Sequence, residues 1–127
     1  MNIDSIFQEN NLSEARILSA TDEIKIPETW SFLLTEENKD KKKSLVIERW
    51  SDFSSLLPKT LHLLEELLED VFLVFHQQQI KMVYLLLVDE EYVLYVGNMP
   101  TTDSHIAILP DKLQHFYKHL HNGWFEN

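Results

Sequence analysis

From Ile80 to Val88 every residue except Lys81 is apolar or aromatic. A strand with one wet face alternates, because successive side chains point to opposite sides, so a run that is apolar at both parities must be covered on both sides. This segment is predicted to be a central strand of a sheet with structure above and below it. The short acidic break Asp89-Glu90-Glu91 separates it from Tyr92-Val93-Leu94-Tyr95-Val96. So short a break fits a tight turn, which makes the two runs an antiparallel hairpin. Gly97-Asn98-Met99-Pro100 should end that pairing, and Ser104 to Ile108 reads as a short further strand before Leu109-Pro110.

The remaining apolar residues are arranged mostly in helical steps. Leu57, Leu61, Leu64, Leu68, Val71 or Phe72, and Phe75 recur at steps of four and three, with Glu65, Glu66, Glu69 and Asp70 facing elsewhere. That spacing predicts one long amphipathic helix from Pro58 to about Gln77, its proline at the first position, where no amide donor is needed. The stripe spans too few heptads for a coiled coil, so it should pack on the sheet. A last helix should begin at Pro110 or Asp111, bury Leu113, Phe116, Tyr117 and Leu120, and close at Asn122-Gly123. Near the start, Ile3, Ile6 and Phe7 suggest a short helix weakened by Asn10-Asn11, and Ile24-Lys25-Ile26 suggests a strand that stops at Pro27. Trp30 to Leu34 and Leu45 to Trp50 flank a charged stretch from Glu36 to Lys43, which reads as a hairpin with a charged tip. The expected fold is α+β: a mostly antiparallel sheet packed by one long amphipathic helix and shorter terminal helices. With 127 residues, 44% of them hydrophobic, residues 1–127 are expected to form a single domain around one core.

Charge and chemistry narrow the function. Against 11 Lys+Arg stand 21 Asp+Glu, a net charge of −10, which disfavours direct binding of nucleic acid and favours a basic partner. No cysteine is present, which excludes disulfides, thiolate metal sites and cysteine nucleophiles. The N-terminus Met1-Asn2-Ile3-Asp4 carries acid where a secretory signal carries base, and no apolar stretch approaches the roughly 20 residues of a membrane span, so a cytoplasmic location is expected, with no membrane partner. Asp111, His115 and His119 sit at helical spacing, but the Glu of the His-Glu-x-x-His motif is missing, so no metal site is expected. His121 with Ser104 or Asp103 lacks any nucleophile elbow, and two glycines in the whole chain leave little from which to build a phosphate or dinucleotide loop. The chain is therefore expected to be no enzyme, with no catalytic residues and no cofactor. Trp30, Trp50 and Trp124 read as core, and Tyr92 and Tyr95 fall on opposite faces of their strand, leaving one of them available to a partner.

The segment Leu109-Pro110-Asp111-Lys112-Leu113-Gln114-His115-Phe116-Tyr117-Lys118-His119-Leu120-His121-Asn122-Gly123-Trp124 resembles the Leu-Pro, Phe-Tyr, Asn-Gly signature of the SMI1/KNR4 (SUKH) superfamily. Members of that family usually carry the motif near the start and follow it with strands. Here it lies near the end, which fits either an N-terminal portion of a longer SUKH-like protein or a likeness confined to this segment. The resemblance implies a bacterial immunity protein that binds and blocks a toxin, often a nuclease, inside the producing cell. A basic toxin would meet an acidic surface, for which the candidates are Glu36, Glu37, Glu65, Glu66, Glu69, Asp70, Asp89, Glu90 and Glu91. The alternative is a regulatory or scaffolding interaction domain of a longer cytoplasmic protein, as eukaryotic relatives of that family are tied to cell-wall signalling.

Overall fold

In the computed structural model, residues 3–19, 22, 26–100, 109–121 and 124–126 are described. The central hairpin forms as its sequence dictates: β3 (Gln79–Val88) and β4 (Glu91–Asn98) pair antiparallel with Val88 opposite Glu91. Their turn is only Asp89-Glu90, both at positive φ (49° and 68°), the left-handed geometry that matches the twist of a two-residue hairpin. A five-stranded antiparallel sheet runs in sequence order, β1 (Arg16–Ile17), β2 (Leu68–His76), β3, β4 and β5 (Trp124–Glu126). The central position of β3 accounts for the double-sided apolar run: Val83, Tyr84, Leu85 and Leu86 are all inaccessible to solvent.

Two layers cover the sheet. One face carries Val71, Leu73, Met82, Tyr84 and Leu86 and packs against four helices, α2 (Phe32–Thr35), α3 (Lys39–Ser51), α4 (Pro58–Leu67) and α5 (Asp111–His119). The opposite face carries Val74, Val83, Leu85, Leu94 and Val96 and receives Ile6 and Phe7 of α1 (Ile3–Glu9), with Leu12 just beyond it. The α+β class and the antiparallel sheet are as expected, and β4 continues through Gly97 to Asn98.

Three expectations are corrected. The charged stretch is no hairpin tip but the first turns of α3, whose N-cap Asn38 accepts a hydrogen bond from the Lys41 N–H at 3.0 Å. With the cap in place, Val46 and Trp50 fall four apart on one buried face. The long helix from Pro58 to Gln77 is in fact α4 followed directly by β2, with Leu68 both capping the helix and opening the strand. From Val71 onward, β-branched and aromatic residues gain more from pairing with β3 and from burial on both faces than from a helical stripe. Glu69 and Asp70 therefore lie on a strand and are half-buried, not on a solvated helix face. The first strand is found at Arg16–Ile17; Ile24 and Lys25, Ser104 to Ile108, and Asn122-Gly123 lie outside the described residues.

Candidate functional site

The acidic candidates converge. Leu68 at the start of β2 pairs with Leu86, two residues before β3 ends at Val88. The last turn of α4, the opening of β2 and the β3–β4 turn thus share one end of the sheet. Glu65, Glu66, Asp89, Glu90 and Glu91 are exposed there, with half-buried Glu69 beside them and Tyr92, 36% exposed, next in line. Two candidates are engaged internally. Asp70 bonds Lys42 of α3 at 2.8 Å, both side chains largely covered, and Glu36 accepts the Asn38 N–H at 3.1 Å and lies 3.5 Å from Lys41. Glu37 is exposed beside Glu36.

On the helix-covered face lies a polar network that sequence reasoning missed. His121 is completely buried although it follows α5 by only two residues. Its Nδ1 lies 3.0 Å from the Asn98 carbonyl, which can only accept, so Nδ1 carries the proton. Nε2 must then accept, and the Tyr84 hydroxyl, 2.5 Å away, donates to it. That hydroxyl oxygen in turn accepts from the Trp50 indole N–H at 3.0 Å. Burial drives the His121 pKa down from 6.5 to about 4 against the opposing pull of the Asn98 carbonyl, and burial raises that of Tyr84. Both groups are neutral near pH 7, and the ring of Trp30 at 5.4 Å seals the imidazole. Gly97 makes the room: a Cβ there would overlap the His121 ring. A general base needs contact with a substrate, and the His121 ring has no solvent-accessible surface in this fold. The network organises the core, joining α3, β3, β4 and the end of α5. Its only sequence signal is a histidine embedded among Phe116, Leu120 and Trp124. Ser104 and Asp103, the other partners considered for His121, lie outside the described residues.

His115 and His119 are both exposed and their rings touch, with centroids 4.3 Å apart. They line a cleft of about 350 Å³ between α3 and α5, together with Glu48, Arg49, Asp52 and Phe53. Asp111, the third member of the sequence triad, is exposed and not part of this lining. Among the described residues no group of three or more carboxylate or imidazole side chains is arranged as a metal site, and no helix is long and apolar enough to cross a membrane. Compared with family models, curated proteins and solved structures, the chain matches none.

Proposed function

We propose that this protein is a non-catalytic binding module that neutralises a basic partner, an immunity protein whose cognate toxin, with a nuclease favoured, is held by the acidic end of the sheet. The observation that carries this reading is the gathering of Glu65, Glu66, Asp89, Glu90 and Glu91 at that end. A chain of net charge −10 with such a concentrated patch steers a basic cleft toward itself, and an exposed tyrosine next to the patch supplies apolar contact area. The resemblance of Leu109 to Trp124 to the SMI1/KNR4 motif supports the same reading. Glu36 and Asp70 drop to a secondary role, since each is engaged by a lysine of α3.

The test is a pull-down from the source cell followed by co-expression of whatever is recovered. A basic toxin whose toxicity disappears when this protein is present, and returns when Asp89, Glu90 and Glu91 are all changed to Lys, is the expected result. Those residues lie in and beside a solvated turn, so the triple variant should fold normally. Neutralisation by the triple variant at full strength would remove this end of the sheet from the interface. A stable complex with signalling or envelope proteins instead of a toxin would favour the scaffolding alternative.

A further inference from the structure

On the face of the sheet that α1 covers, strand alternation sets Leu87 of β3 in line with Val83 and Leu85, and Tyr92 of β4 in line with Leu94 and Val96. On these two strands the core of that face ends at Leu85 and Leu94. Leu87 and Tyr92 lie one step further toward the β3–β4 turn, directly opposite each other, and among the described residues neither packs into the core on either face. Leu87 is half-buried and Tyr92 is 36% exposed. We propose that this Leu87–Tyr92 step, with the turn carboxylates Asp89 and Glu90 beside it, is a recognition site for arginine side chains of the basic partner. The proposal rests on the reading of the acidic end as the partner surface, and adds which face the partner meets and which cation it presents there.

The chemistry of the step separates arginine from lysine. A guanidinium is planar and weakly hydrated, stacks on an aromatic ring while its N–H groups bond a carboxylate in two places, and sits on a methylene stem that covers apolar surface. A lysine ammonium is compact and strongly hydrated, and would take the charge attraction alone. Here an aromatic ring, an aliphatic side chain and exposed carboxylates occur together within the turn and the two cross-strand pairs that follow it, Val88 opposite Glu91 and Leu87 opposite Tyr92. Tyr92 supplies the ring, and Leu87 the surface for the stem. Alternation turns Glu91 toward the helix-covered face, which leaves Asp89 and Glu90 of the turn as the carboxylates for the guanidinium, with Glu91 adding to the field that draws it in. Among the described residues no side-chain hydrogen bond or ion pair engages Asp89, Glu90 or Tyr92, in contrast to Glu36 and Asp70. Rotation of such exposed side chains costs little, so they can close on a guanidinium as it arrives.

The experiment titrates the full-length protein with amidated hexa-arginine and hexa-lysine peptides at low salt, read by backbone NMR shifts. Hexa-arginine is expected to bind about two- to fivefold more tightly, the worth of an exposed cation–π contact, with the shifts centred on Leu87 to Leu94. Tyr92→Phe should keep this preference. Tyr92→Leu should erase it while leaving the hexa-lysine affinity as it is in the unaltered protein. Tyr92 lies outside both cores, so the two variants should fold normally, which the same spectra report. Equal affinity for the two peptides in the unaltered protein, or a preference that survives in Tyr92→Leu, would overturn the arginine site while leaving the acidic end as a surface that attracts cations. Binding of neither peptide, or binding untouched when Asp89, Glu90 and Glu91 are all changed to Lys, would overturn that broader reading and this inference with it.

Discussion

At His121 two effects oppose each other. Burial disfavours the imidazolium, while the Asn98 carbonyl accepting from Nδ1 favours it, and burial prevails, leaving the pKa at about 4 against 6.5 for the free side chain. A depressed pKa in the folded state means that the unfolded chain takes up the proton first. The stability contributed by the neutral ring is therefore complete above pH 6.5 and is lost as pH falls through about 4. At about 1.4 kcal/mol per pH unit, the loss is on the order of 3 kcal/mol. Urea unfolding measured from pH 7 to 4 should show this decline, and His121→Gln, less stable at pH 7, should show a flatter profile; parallel profiles would mean that His121 is not the group responsible. Tyr84→Phe removes the donor to Nε2 and the acceptor for Trp50 Nε1 together, leaving two buried polar atoms without partners. It should cost about 2–3 kcal/mol by the same assay. Gly97→Ala should cost about 3 kcal/mol, because its methyl group would meet the imidazole; near-normal stability would show that the ring can move aside. Beyond a histidine set among Phe116, Leu120 and Trp124, none of this was legible in the sequence. A histidine bonded across sequence separations of 23 and 37 residues has no local signature, because burial and partners arise only from the tertiary fold.

At the scale of elements, both hairpin turns use residues poorly suited to them. Gln77-Gln78 and Asp89-Glu90 all adopt positive φ, between 49° and 68°, where a β-carbon crowds the backbone and Asn-Gly is preferred. Replacing Gln77-Gln78 with Asn-Gly should stabilise the fold by about 1 kcal/mol, seen as a higher melting temperature. The same change at Asp89-Glu90 should stabilise as much while removing part of the acidic patch, so that stability rises as partner binding falls. A loss of stability in either hairpin would show that the longer side chains contribute contacts that outweigh the backbone strain. The hairpin at Asp89-Glu90 was readable because a double-sided apolar run and a short acidic break leave few alternatives. The β2–β3 hairpin was not, because Leu57 to Phe75 satisfies a helical period as far as Leu68 and a strand thereafter, and the steps of three and four continue across the junction. The α3 helix was misread for the opposite reason: its charged first turns hide the stripe, and only the Asn38 cap marks its start.

For the whole molecule, the two faces of the sheet are unequally protected. The helix-covered face joins four helices and the His121 network into the larger core, whereas the other face, among the described residues, is closed by Ile6, Phe7 and Leu12 with Ile3, Ala15 and Phe72 at the margin. A short helix held by so few side chains opens at lower free energy than the central strand, since local opening follows the apolar contacts that must be broken. Native-state hydrogen exchange should therefore find the amides of Leu12 and Ala15, bonded to the Phe7 and Leu12 carbonyls, exchanging well before those of Met82 to Leu86. If the two groups instead exchange at one common rate, α1 is part of a single cooperative unit and the face it covers is as secure as the other. The distinction bears on binding. The acidic end of the sheet is formed by α4, which packs in the larger core, and by β2, β3 and β4, which are held by their mutual strand pairing, so the proposed partner would meet a rigid surface there. Opening of α1 would leave that surface in place, and partner affinity should be insensitive to Phe7→Ala under conditions where the variant remains folded.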